Sequence, residues 1–181
     1  MTSLTDTTGT WEIDPTHTTI GFNVRHAMIA KVRGRFTDFG GTFTLDGDNP
    51  ANSAAELTVQ MTSIETQNDD RDNHLRSAEF FDVENFPLMT FISTDVVVNG
   101  NDFVVNGDLS VHGVTKAIPV TFELVGISLD PWGNTRIGFE GEAEINRRDF
   151  GLEWNVPLDT GGVLVSETIK ISLDVEAVKK I

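Results

Sequence analysis

Apolar and polar residues alternate with period two through nearly the whole chain, and that rhythm limits the fold to half-buried antiparallel strands. Ile20, Phe22 and Val24 fall on one face, with Thr19, Gly21, Asn23 and Arg25 on the other. Val32, Gly34 and Phe36 alternate with Lys31, Arg33 and Arg35. The pattern continues through Phe43 and Leu45, then Ala55, Leu57, Val59 and Met61, then Ile92, Val96 and Val98. Asn99-Gly100 reads as a hairpin turn, from which Phe103, Val105, Gly107 and Leu109 return. Ile118, Val120, Phe122 and Leu124 form a strand with a bulge expected near Gly126. Ile137, Phe139, Gly141, Ala143 and Ile145 follow, and the last strand carries Val163, Val165, Ile169, Ile171, Leu173 and Val175. The reading is all-β, with about eight or nine antiparallel strands closed on themselves and no break where a second domain could start.

The segment from Asn68 to Ser77 alone lacks this rhythm. Its N-cap and acidic first turn predict a short helix, with Leu75, Ala78, Phe80 and Phe81 packing it over one end of the sheet. A second, weaker helical candidate surrounds Arg147–Gly151. Residues 1–9 are small and polar, and are expected to form a flexible leader before a single domain over 10–181.

Composition removes several classes of function. There is no cysteine, which excludes disulfides, thiolate chemistry and Cys-ligated metal. Thirteen basic against 28 acidic residues give a net charge of −15, and no basic cluster in the sequence exceeds a pair such as Arg147-Arg148. Nucleic acid, or an anionic membrane surface, is therefore not expected to bind through a basic patch. No apolar run reaches the ~20 residues of a transmembrane helix. The N-terminus lacks a basic region followed by an apolar run, so a cytoplasmic location is expected.

The apolar interior is the main functional signal. Large residues on the inward phase mix with Gly34, Gly107, Gly141 and Ala143. Small residues there either leave a tunnel for a slender ligand or mark close backbone approach in a filled core. His26 continues the phase of Ile20, Phe22 and Val24, and Glu167 that of Val163 and Val165. The two either partner each other or line a mouth for a polar head group; alternatively both sit at strand ends and reach water. The candidate ligand contacts are Phe22, Val24, His26, Phe36, Phe103, Leu109, Phe122, Phe139, Ala143, Glu167 and Ile169.

Catalytic signals are weak by comparison. His17, His26, His74 and His112 show neither HxH nor HExxH spacing, and no metal or catalytic residue is assigned. Asp69, Asp70 and Asp72 lack the glycine and distal glutamate of an EF-hand. There is no GxSxG elbow and no phosphate loop. The chain reads as non-enzymatic. The competing readings are an enzyme using His26, His74 and Glu167 on a bound lipid or quinone, and a filled barrel that binds a protein partner.

The order of several blocks resembles the YceI-like family of lipocalin-like, polyisoprenoid-binding proteins. They include Trp11-Glu12-Ile13-Asp14, Gly21-Phe22-Asn23-Val24-Arg25-His26, Gly34-Arg35-Phe36 with Phe39-Gly40-Gly41, and Ser63-Ile64-Glu65-Thr66. Arg71-Asp72-Asn73-His74-Leu75, Phe80-Phe81-Asp82 with Phe86-Pro87, Gly113-Val114-Thr115-Lys116 and Arg147-Arg148-Asp149-Phe150-Gly151 continue the series, which spans about residues 11–178. The resemblance implies an eight-stranded lipocalin-like barrel with one or two short helices. It also implies a long isoprenoid or related lipid inside and, because such proteins are often dimeric, a homodimer as a candidate assembly; no cofactor besides that lipid is expected.

Overall fold

The computed structural model describes residues 3–181. Its strands are β1 (Gly9–Ile13), β2 (Thr19–His26), β3 (Ala30–Phe36), β4 (Phe39–Leu45), β5 (Ala54–Gln60), β6 (Ile64–Glu65), β7 (Leu88–Asn99), β8 (Asp102–Val111), β9 (Val114–Leu129), β10 (Thr135–Asn146) and β11 (Thr168–Lys179). Every pairing is antiparallel, in the order β1-β4-β5-β7-β8-β9-β10-β11, and a β1–β11 pairing closes the ring. That ring has eight strands. β2, β3 and β6 branch from the other half of β11, so that β1 with β2, β3 with β4, and β5 with β6 act as three interrupted staves. The eleven segments therefore make eight barrel positions: the closed all-β sheet expected from the period, in the eight-stranded lipocalin-like form that the resemblance implies.

Local chemistry explains the interruptions. Between β1 and β2, Asp14 folds back to accept from the Thr16 N–H (3.0 Å), and Pro15 has no N–H to offer a ladder. Between β5 and β6 a 3₁₀ turn over Met61–Ser63 bends the stave. The bulge expected near Gly126 is present: Gly126 faces Gly138 while Leu124 faces Phe139, which leaves Val125 as the extra residue. β8 shows the alternation at its cleanest, with Phe103, Val105, Gly107, Leu109 and Val111 all buried.

Helix α1 (Asp69–Arg76) forms where the alternation stops. The Asn68 side chain caps it by accepting from the Arg71 N–H (2.9 Å), and Asp69, Asp70 and Asp72 complement its dipole. Arg76 ties the helix to the interrupted stave, donating to the Thr62 and Ile64 carbonyls at 2.9 Å each. The second candidate is a 3₁₀ turn over Arg147–Phe150.

Of the leader expected over 1–9, residues 1 and 2 lie outside the described residues. The remainder is packed: Ser3 caps a 3₁₀ turn over Leu4–Thr7, Thr7 is buried, and its carbonyl accepts from the Trp11 indole N–H at 2.9 Å. Trp11 is itself fully buried in a cluster with Leu45, Val96, Phe103, Phe139 and Ala177, which backs one end of the barrel. Leu4 joins that cluster, so burial of apolar surface holds a segment that composition alone presents as loose.

Beside that end, Arg136 bridges Asp130 (2.8 Å), Asp14 (2.9 Å) and Glu176 (2.6 Å). Hydrogen bonds from Thr16, His17 and the Arg136 guanidinium hold the Asp14 carboxyl far below the usual carboxylate range. The Arg136 guanidinium does the same to Asp130. Because both folded-state values are depressed, the stability they contribute is present above the ordinary carboxylate range and is lost progressively as pH falls from that range down through the depressed folded-state values.

Candidate functional site

The barrel encloses two adjoining apolar compartments. The narrower, about 150 Å³, has an almost wholly apolar lining from the inward phase of the long strands, including Phe91, Phe103, Val105, Leu109, Phe122, Phe139 and Ala143. The wider, about 430 Å³, is bounded by Phe22, Val24, Phe36, Met61, Leu75, Phe80, Phe150 and Ile169. Ile20, Met89 and Ile171 belong to both linings and form a waist between them.

The inward glycines do not leave the empty space that their size suggests. Gly34 lies opposite Phe22 and Gly141 opposite Phe122, and each phenyl ring covers its glycine. A methyl group on Gly141 would come within 2.5 Å of two carbons of the Phe122 ring, and one on Gly34 would collide with Phe22. Phe91 covers Gly107 in the same way. The close-approach reading of these glycines is thus correct, yet the core is not filled. Each ring occupies the space a side chain on its glycine would take, and so the glycines let the rings sit against the backbone instead of further into the lumen.

Polar groups collect at the wide end. Arg25, His26, Thr66, Asp70, Arg71, His74, Arg147 and Trp154 all contribute to the lining there. Arg71 donates through Nε to the Thr66 hydroxyl (2.7 Å) and through Nη2 to the Thr66 carbonyl (2.6 Å). Its Nη1 has no hydrogen-bond partner among the described residues. The buried Asp72 carboxylate accepts from the Thr66 N–H at 2.9 Å and from its hydroxyl, fixing that residue from the other side. His74 meets the Trp154 and Phe80 rings edge-on, at 4.6 and 5.5 Å between centroids, and its Nε2 lies 2.7 Å from Glu79.

Arg147 organises the part of the wall that strands do not supply. It is 2% exposed. Its guanidinium donates to the carbonyls of Ser166 (2.9 Å), Leu152 (2.5 Å), Trp154 (3.0 Å) and Val165 (3.3 Å). Burial pulls its pKa down, Arg148 nearby adds to that, and Glu167 opposes it.

Ten of the eleven candidate contacts line these compartments: Phe22, Val24, His26, Phe36 and Ile169 the wider, and Phe103, Leu109, Phe122, Phe139 and Ala143 the narrower. Glu167 does not. It is exposed, 3.2 Å from Arg148 on the outside, and makes no hydrogen bond or ion pair with His26 among the described residues. β11 begins only at Thr168, so the phase of Val163 and Val165 does not run on through Glu167. Those two residues make isolated bridges, Val163 with Pro157 and Val165 with His26. The strand-end reading holds for both candidates, since the His26 side chain is also exposed, at the rim of the mouth.

Sequence reasoning missed Arg71, Trp154 and Arg147 as wall residues. Arg147 had a signal, because it continues the inward phase of Phe139, Gly141, Ala143 and Ile145. Arg71 and Trp154 lie on a helix and an irregular segment, where period two carries no information.

The histidines stay dispersed. His26 and His74 share the wide compartment, His112 lies 3.2 Å from the Phe150 carbonyl, and His17 sits at Asp14. Asp14, His17 and Glu176 bring one ligand atom each within 4.8 Å of one another. The Arg136 guanidinium already bridges both carboxylates, so a cation of the protein stands where a metal would compete.

The model of the YceI-like domain matches residues 11–177. The protein YceI of Escherichia coli is 38% identical over 164 residues, which is 91% of this chain and 83% of that one. The crystal structure of Burkholderia cenocepacia BcnA superposes with a TM-score of 0.78 at 20% identity, covering 91% of this chain and 98% of that one. A polyisoprenoid binding domain from Saccharophagus degradans, implicated in plant cell wall breakdown, superposes with a TM-score of 0.71 at 18% identity, covering 94% and 98%. With this fold, this lumen and a family match over nearly its whole length, the chain belongs to the YceI-like family.

Proposed function

We propose that the protein binds one long-chain isoprenoid or related lipid and acts as its carrier, store or sensor rather than as an enzyme. One observation carries the reading: two apolar compartments meet at a waist, with cationic groups concentrated at the wide end alone. A slender chain would lie through the waist into the narrow compartment, and its polar head would stay at the mouth beside Arg71 and His74. Each CH₂ moved from water into such a lining contributes about 0.8 kcal/mol, so a long chain supplies ample affinity without catalytic machinery. The polyisoprenoid binding domain with the same fold supports this ligand class. The enzyme alternative is weakened by Glu167, which faces Arg148 outside the lumen and away from His26 and His74.

Displacement of an apolar fluorescent dye tests the proposal. Delipidated protein is expected to take up the dye and to release it when a long-chain polyprenol is added at one equivalent. Failure to bind either would favour the filled barrel with a protein partner.

A further inference from the structure

The hairpin joining β2 to β3 stands at the rim of the wide mouth. Val24, Arg25 and His26 line the compartment, and the turn Ala27–Ile29 continues beyond them. Met28 is 58% and Ile29 83% exposed, and Val156 on the facing loop is 42% exposed. The Ala27 N–H donates to the Leu164 carbonyl (2.7 Å) and the Leu164 N–H to the Val156 carbonyl (2.9 Å), which ties the hairpin turn to the loop that carries Val156. Ala27 and Met28 both hold positive φ, 50° and 66°, a backbone region that residues other than glycine and asparagine rarely adopt. The fold thus accepts a strained turn that presents apolar side chains to water.

The charge around this rim departs from that of the whole molecule. Residues 15–37 contain no Asp or Glu, in a chain with 28 of them. Arg25, Lys31, Arg33 and Arg35 all lie in that stretch and all are exposed. The register sets Arg25 directly opposite Lys31, and Asn23 between Arg33 and Lys170. Like charges facing each other across a strand pair disfavour the sheet, so this arrangement is not explained by folding. The acids around it are Glu65, paired with Arg35 at 3.3 Å, Glu144 opposite Lys170, Asp69 and Asp70 at the start of α1, Asp159 on the facing loop, and Glu167, 3.2 Å from Arg148. Glu140, Glu142 and Glu144 on β10 stand two strands from β2, roughly 10 Å away. That is about the screening length at physiological salt, so the net charge does not set the potential at the hairpin.

We propose that this rim docks the protein onto an anionic lipid bilayer. Met28 and Ile29 enter the headgroup boundary, and Arg25, Lys31 and Arg33 meet the lipid phosphates. The mouth of the lumen then opens directly on the membrane, which gives an apolar cargo a path that avoids water. No basic run in the sequence exceeds a pair, but the hairpin register brings Arg25 and Lys31 side by side with Arg33 two residues along the same strand face. The proposal goes beyond the cargo reading and fails separately from it, since docking is read with the lumen empty or full.

Flotation with vesicles of phosphatidylcholine, with and without phosphatidylglycerol, tests the docking. The protein is expected to float with the anionic vesicles, and little with phosphatidylcholine alone. Ile29→Asp, and separately the pair Lys31→Glu with Arg33→Glu, should each lower that partition by about tenfold or more. Thermal unfolding of these surface variants should match the parent. Basic residues on β3 would also serve simply to guard a sheet edge, as charged edge strands do. Wild-type partition indifferent to phosphatidylglycerol, or partition that survives both sets of substitutions, would establish that lesser role and overturn the proposal.

Discussion

Arg147→Leu is expected to destabilise the fold by about 3 kcal/mol or more, because its loss leaves three carbonyls without a donor at roughly 1–3 kcal/mol each. Those carbonyls belong to Leu152, Trp154 and Ser166, while that of Val165 keeps the Asn155 amide at 2.8 Å, so a single side chain holds two irregular segments against the barrel. Water entering from the mouth would relieve part of the cost, which places the expected loss at the lower end of the summed range. For a chain of this size, ~3 kcal/mol corresponds to roughly 6–12 °C in the midpoint of thermal unfolding. Arg147→Lys should recover only part of that loss, since one ammonium cannot span carbonyls that a planar guanidinium reaches in several directions. Calorimetric unfolding of the two variants beside the parent measures this directly. A loss below ~1 kcal/mol for leucine would show that the surrounding strands, and not this cation, hold the wall.

Ala143→Trp is expected to divide ligands by length. Ala143 lies in the narrow compartment and pairs with Ile171 of the waist, so an indole there obstructs a space of only about 150 Å³. A long isoprenoid would have to leave at least one five-carbon unit outside, a loss of ~4 kcal/mol at about 0.8 kcal/mol per carbon. Its affinity should fall by two orders of magnitude or more. A short chain that fits the wide compartment should bind almost as before. The substitution enters an existing space, so the unfolding midpoint should move by only a few degrees. Titrating parent and variant with a short and a long polyprenol separates the cases. Equal weakening of both ligands would mean that the two compartments do not act as one channel.

The barrel was legible because period two reports directly on which side chains face in. The buried faces of β8, β9 and β10, and with them Phe103, Leu109, Phe122 and Phe139, follow from that period without further assumption. It fails where strands stop. Glu167 was placed inward by extending a phase into a segment held by isolated bridges, and Arg71 and Trp154 lie where no phase exists. Glycine had two physical readings in the sequence, and only the cross-strand placement of Phe22 and Phe122 shows how the rings use it. The basic hairpin was hidden for a related reason, since Arg25 and Lys31 become neighbours only once register is known.

The central claim is that the lumen holds a lipid chain, and native mass spectrometry of the intact protein, beside mass analysis of its organic extract, tests it most directly. The account predicts one long-chain isoprenoid or related lipid per protein chain, lost on extraction and restored by adding a polyprenol. An empty protein that takes up no such lipid under any loading condition would contradict it.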